Sequence, residues 1–265
     1  MGNLPDVAVI VIGTAFITIS TASGAALVFF FKNQLSDNIK RITLGFASGV
    51  MIAASVWGLL TPAIAEAESL GMNGWIPATI GFVAGGALLL LFDNLLPHLH
   101  IGEEQPEGLK TSMKRSTMLI FAVTLHNIPE GLAVGLAFGL ALQAESTVGI
   151  LSALGLAIGI GIQNFPEGAT ISLSLKQEGM SDRKAFLYGT LSGIVEPVFA
   201  VVGLILATQL TAVMPWFLAL AAGAMIYVVV EELIPEAQLG EHSNIGTIAV
   251  MFGFVLMMIL DIALG

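Results

Sequence analysis

Uncharged runs long enough to cross a lipid bilayer follow one another along almost the whole chain, and they decide what it can fold into. A helix needs about 20 mostly apolar residues to cross the hydrocarbon core. Residues 7–31, 42–65 and 69–92 carry no charge, 116–144 carry only Glu130, and 146–175 only Glu167. Residues 185–230 hold a single charge, Glu196, and are too long for one span. Gln209, Thr211 and Pro215 divide that run into spans near 185–208 and 212–231. A last run, 243–264, carries only Asp261. The expectation is an all-α polytopic membrane protein with eight transmembrane helices. Residues 1–265 then form a single transmembrane domain with short connectors and one longer polar loop, 97–115.

Composition excludes most other classes. Charged residues make up 11% of the chain, against about a quarter in a soluble domain, so a water-soluble globule is excluded. Nine Lys and Arg against nineteen Asp and Glu leave no basic footprint for nucleic acid. The absence of cysteine excludes disulfides, thiolate zinc sites, iron–sulfur clusters and cysteine nucleophiles.

Orientation follows from Lys and Arg, which accumulate on the cytoplasmic side. Lys32, Lys40 and Arg41 lie between spans 1 and 2, and Lys110, Lys114 and Arg115 between spans 3 and 4. Lys176, Arg183 and Lys184 lie between spans 5 and 6. With all nine in alternate connections, both termini are expected outside. The first span does not read as a cleaved signal peptide: it lacks a basic leader and Asp6 is its only early charge.

The informative residues are the polar groups at membrane depth. A carboxylate at a helix centre costs about 2.5–3.5 kcal/mol on insertion scales, so Glu130, Glu167 and Glu196 call for a purpose or for mutual satisfaction. Spans 4 and 5 carry near-identical hexapeptides, His126-Asn127-Ile128-Pro129-Glu130-Gly131 and Gln163-Asn164-Phe165-Pro166-Glu167-Gly168. His126 and Glu130 are four residues apart and share a helix face, as do Gln163 and Glu167. Asn127 and Asn164 flank those faces. Pro129 and Pro166 cannot bond the carbonyls of Leu125 and Ile162 and are expected to kink their helices, and the following glycines let another helix approach closely. Two such helices face to face bring together two carboxylates, an imidazole, three amides and free carbonyls. The carboxylates repel unless a proton or a cation sits between them. A donor set of N and O without thiolate suits a borderline or hard divalent cation. Glu196, before Pro197 in span 6, adds another carboxylate, and Met51 in span 2 offers a soft thioether.

The paired hexapeptides resemble those of the ZIP (Zrt/Irt-like) divalent metal transporters, in particular the prokaryotic GufA-like branch, and the eight spans with both termini outside resemble that family's topology. The resemblance implies a binuclear-type metal centre midway through the membrane, lined by spans 2, 4, 5 and 6. Carried over by position, His126, Glu130, Gln163 and Glu167 form the primary site with Met51 at its edge. Asn127, Asn164 and Glu196 form a neighbouring site that shares Glu130 and Glu167. Some relatives carry histidine or glutamate in the place of Gln163 and aspartate in the place of Asn164. Two neutral amides weaken the second site and leave one metal bound at rest. The resemblance also implies a metal-binding cytoplasmic loop, represented here by His98 and His100 with Glu103, Glu104 and Glu107. At the end of span 7, Glu231, Glu232 and Glu236, with His242 nearby, read as an exit relay. Asp93 and Asp261, near span ends, read as interfacial, and Glu66 and Glu68 make the outer face acidic.

The expected function is transport of a divalent metal into the cytoplasm by alternating access, with zinc foremost and cadmium, iron or manganese beside it. The resemblance implies a slide of spans 1, 4, 5 and 6 against spans 2, 3, 7 and 8, and a homodimer. Proton exchange at Glu130, Glu167 and His126 accompanies metal release in this reading. No cofactor other than the transported metal, no nucleic acid and no enzymatic activity are expected, and the membrane is read as the prokaryotic cytoplasmic membrane. An intramembrane metalloenzyme is the first rival, but no His-Glu-x-x-His is present and one histidine alone lies at depth. A passive cation channel or a proton-coupled exporter is the second, separable by saturable flux. ATP-driven pumping lacks its phosphate-binding motif. The small residues Gly81 to Gly86 and Ala221 to Ala224 permit close helix contact, within one copy or between two.

Overall fold

The computed structural model describes residues 4–31, 36–97, 108, 114–238 and 244–264. Within them run eight long helices: α1 (Asp6–Phe29), α2 (Asp37–Ser69), α3 (Trp75–Leu95), α4 (Ser116–Gln143), α5 (Thr147–Gln177), α6 (Asp182–Gln209), α7 (Thr211–Gln238) and α8 (Ile245–Leu264). They coincide with the eight expected spans except at a few ends. α3 starts at Trp75, not near 69, because Gly71 turns the chain at φ +75° while Met72 N–H bonds the Ala67 carbonyl at 2.9 Å, which closes α2 with a left-handed cap.

α2 and α7 run past their expected ends, and one physical cause serves both. Each widens into a π-helical segment, Ala54–Leu60 in α2 and Val229–Leu233 in α7, just before Pro62 and Pro235. A proline cannot donate to the carbonyl four residues back and its ring crowds that carbonyl. One extra residue in the turn relieves the crowding and lets the helix continue. α4, α5 and α6 likewise run unbroken through Pro129, Pro166 and Pro197.

The helices sort into two groups. The closest pairs are α4 with α6 and α1 with α5 in one group, and α2 with α8 and α3 with α7 in the other. α4 with α5 and α1 with α6 link the first two pairs and α2 with α7 the second two, while α5 against α2 and α8, and α4 against α7, join the groups. Within each group glycines set backbone on backbone. A Cβ on Gly135 would strike the Ala200 carbonyl (α4 on α6) and one on Gly24 the Phe165 carbonyl (α1 on α5). Gly49 stands likewise on Val250 (α2 on α8), and Gly85 on Leu220 (α3 on α7). Between the groups the first neighbour is a side chain: Gly159 faces the Met257 sulfur and Gly58 faces Leu156. Small residues are what permit such backbone approach in lipid. The stretches noted at Gly81 to Gly86 and Ala221 to Ala224 are spent on this contact between α3 and α7, since Gly81 and Gly85 meet Ala219 and Leu220 and Ala221 to Ala224 are buried.

The basic ends of the helices gather on one face. Lys176 Nζ donates to the carbonyls of Val28 (3.0 Å) and Phe31 (3.1 Å) and pairs with Asp182 at 2.9 Å. A single lysine thus caps α1, whose last carbonyls have no partner in their own helix, and ties it to the start of α6.

Candidate metal centre

The two hexapeptides place their side chains through the glycine that ends each of them. Gly131 lies against the backbone of Glu196, so α6 comes close enough to α4 to deliver that carboxylate. Gly168 lies against the backbone of Thr21, which brings α1 to the same depth. Thr21 Oγ1 then donates to Glu196 Oε1 at 3.4 Å, and Asn164 Nδ2 donates to Glu196 Oε2 at 2.6 Å. Glu196 is fully buried with both oxygens engaged. Thr21 carries no charge or motif that would single it out in the sequence; the helix contact alone identifies it.

Next to this pair, ligand atoms of His126, Glu130 and Glu167 all lie within 4.8 Å of one another. Three atoms so spaced share a point about 2.8 Å from each (4.8 Å divided by √3), so closure by under about 1 Å reaches the 2.0–2.2 Å of zinc to imidazole and carboxylate. His126 Nε2 stands 3.8 Å from Glu130 Oε1, and Gln163 Nε2 donates to that same oxygen. Asn127 Nδ2 donates to the Ser192 carbonyl at 3.2 Å, which fixes its amide with the oxygen free.

Four buried oxygens here find no hydrogen-bond donor: Asn127 Oδ1, Glu130 Oε2, Gln163 Oε1 and Glu167 Oε1. Each would cost about 1–3 kcal/mol if left unmet. Buried polar atoms are otherwise almost always satisfied, and these four come from the two hexapeptides. All are acceptors, so a further acceptor does nothing for them, whereas a cation beside His126 draws on the Glu130 and Glu167 carboxylates, with the Gln163 amide next to Glu130. Together with His126 they make an N/O set fit for a small divalent ion.

A cavity of about 50 Å³ adjoins the centre, room for a bare ion or a water or two. His126, Gln163 and Glu167 line its inner end, and its walls run along α2, α4, α5 and α7 toward Thr43 and Glu236 at the Lys- and Arg-bearing face. Glu232 lies on this wall with Oε2 3.4 Å from His126 Nδ1. The π-helical segment of α7 carries it there, so Glu232, expected as an exit residue, lies beside His126, and Glu236 follows along the same wall, while Glu231 is exposed and outside it. Met51 is fully buried in the apolar core and does not line this cavity. His98, His100, Glu103, Glu104, Glu107 and His242 lie outside the described residues.

Asp261 differs from its interfacial reading. It is 7% exposed, and neither carboxylate oxygen has a partner. It lines a second cavity, with Trp57, Ser146 and Ser152, where α2, α5 and α8 meet at the helix ends opposite the basic face. Its place near the end of the last span suggested an interfacial residue, yet α8 lies against α2 and α5 at that level and covers it.

Comparison with known proteins finds zinc transporters. The family profile described as "ZIP Zinc transporter" matches residues 102–261. The protein named "Zinc transporter ZIP11" of Homo sapiens is 37% identical over 335 residues, covering 96% of each chain. "Zinc transporter GufA" of Myxococcus xanthus is 36% identical over 251 residues, covering 92% of this chain and 95% of its own. "Zinc transporter ZIPB" of Bordetella bronchiseptica is 35% identical over 268 residues, covering 99% of this chain and 84% of its own.

Proposed function

The chain belongs to the ZIP family of zinc transporters, and on that premise we propose that it carries Zn²⁺ into the cytoplasm through the centre between α4 and α5. It is a multi-pass membrane protein that transports divalent metal and is not an enzyme. The observation that carries the finer reading is the cluster of four donorless oxygens beside His126. In this reading His126, Glu130, Gln163 and Glu167 hold the ion. Asn127, Asn164 and Glu196 form the neighbouring site, and Met51 stays a packing residue of the core. The cavity along α7 supports an inward-open state, in which the ion passes from His126 to Glu232 and Glu236. Glu130, Glu167 and His126 take up protons as the ion leaves, so that the neighbouring carboxylates left behind do not repel.

Alternating access is read as a slide of α1, α4, α5 and α6 against α2, α3, α7 and α8. Backbone-tight contacts inside each group and side-chain contacts between them support two bodies that move as units. Asp261 serves as a cation-attracting carboxylate at the outer mouth. Asp261→Asn is expected to raise the half-saturating metal concentration about tenfold, the effect of about 1.4 kcal/mol, with little change in maximal flux; an unchanged value returns Asp261 to a structural role. We place the protein in the cytoplasmic membrane of a prokaryote, as a homodimer whose contact face lies elsewhere than Gly81 and Gly85.

The experiment that tests the substrate is flux into proteoliposomes with Zn²⁺, Cd²⁺, Fe²⁺ and Mn²⁺ in competition. Saturable flux with Zn²⁺ as the strongest competitor is expected; non-saturating flux supports a channel instead. The neighbouring site has its own test. Glu196 is occupied by the neutral amide of Asn164 and by Thr21, so one metal per chain is expected at equilibrium. Asn164→Asp replaces the donor with a carboxylate and is expected to raise the stoichiometry to about two, read by elemental analysis after equilibrium dialysis.

A further inference from the structure

A further cavity on the basic face lies away from the metal centre, between the start of α4, the connection from α5 to α6 and the first turns of α6. Its volume is about 800 Å³. Lys114 and Lys184 stand at its rim with Ser116 and Thr117 between them, and neither lysine has an ion-pair partner among the described residues. Glu178 also lines it and has a partner of its own. α4 and α6 both begin without a side-chain cap, at Lys114 and Ser181. Their first N–H groups are therefore left for an outside acceptor. Deeper along α4 the lining turns apolar at Ile120 and Phe121. Phe121 is 41% exposed and lies about 10 Å below Lys114 along the helix.

We propose that this cavity holds the phosphate headgroup of an anionic phospholipid, with an acyl chain running down past Ile120 and Phe121. Cationic and hydroxyl groups at the interface above an apolar wall at hydrocarbon depth match such a lipid along its length. Basic pockets between membrane helices recognise anionic headgroups in this way. A free phosphate ion would use the rim alone and leave the apolar wall and most of the volume unexplained. The binding body is the group of α4, α5 and α6 that also carries the metal centre, so the lipid would be bound to the part of the protein that handles the ion. Neither lysine touches the metal site, and the inference stands whether or not the transport reading does.

The test uses the full-length protein, stripped of lipid in detergent and reloaded with equal phosphatidylglycerol and phosphatidylcholine, then weighed by native mass spectrometry. One retained phosphatidylglycerol per chain, with phosphatidylcholine lost, is expected. Lys114→Gln with Lys184→Gln is expected to lower that retention about thirtyfold, while Lys184→Arg and Arg183→Gln, the latter outside the lining, keep it. An unchanged melting temperature shows that the double variant is folded. Equal retention of the two lipids, or no loss in the double variant, overturns the proposal. Displacement of phosphatidylglycerol by millimolar inorganic phosphate in a lysine-dependent way also overturns it, by assigning the rim to the free anion.

Discussion

Glu167→Ala and Glu130→Ala should each abolish saturable metal flux while the protein still inserts and folds. In the proposed site both carboxylates face the ion at the inner end of the cavity, where Glu130 is fully buried, Glu167 is half-buried and one oxygen of each finds no donor among the described residues. Removing one partner from a buried charged pair costs about 3–5 kcal/mol, or at least about a hundredfold in affinity. Insertion should not suffer, because each substitution takes a charge out of a membrane span. Glu196→Ala should have a smaller effect on the primary site, since its oxygens are engaged by Asn164 and Thr21. Full flux in either Glu130→Ala or Glu167→Ala contradicts the site.

Gly135→Leu and Gly85→Leu should cost the folded protein itself. At both positions even a Cβ meets a backbone carbonyl of the partner helix, Ala200 in one case and Leu220 in the other. Overpacking already costs about 1–3 kcal/mol where side chains can shift. A rigid carbonyl cannot shift, so a loss of several kcal/mol is expected out of a total of about 5–15, seen as loss of the monodisperse peak on size exclusion. Gly159→Ala makes the contrast, because its new methyl meets the sulfur of Met257, a flexible side chain. It should fold, cost about 1–3 kcal/mol, and slow flux by roughening the surface between the two groups. Loss of folding in Gly159→Ala comparable to that in Gly135→Leu would contradict the two-body account.

Much of the centre was legible in the sequence because its signal is local. Pro129-Glu130-Gly131 and Pro166-Glu167-Gly168 each state a charge, a freed carbonyl and a close approach within one turn, and repetition in adjacent spans makes them partners. What was not legible depends on contacts between distant segments. Thr21 reaches Glu196 only because Gly168 draws α1 against α5. Glu232 reaches His126 only because α7 widens before Pro235 and runs on to Gln238. Asp261 was read from its place near the end of its span, while the helices packed over that end set its burial. Met51 was placed at the site's edge by resemblance, and the packing of α2 puts it in the apolar core instead.

The most direct test of the central claim is zinc K-edge absorption spectroscopy on the zinc-loaded protein. The proposed set of His126, Glu130, Gln163 and Glu167 predicts a shell of about four N and O ligands near 2.0 Å that includes one imidazole, with no sulfur and with loss of order in Glu167→Ala. A sulfur shell near 2.3 Å, or a spectrum of zinc surrounded by water alone, would contradict it.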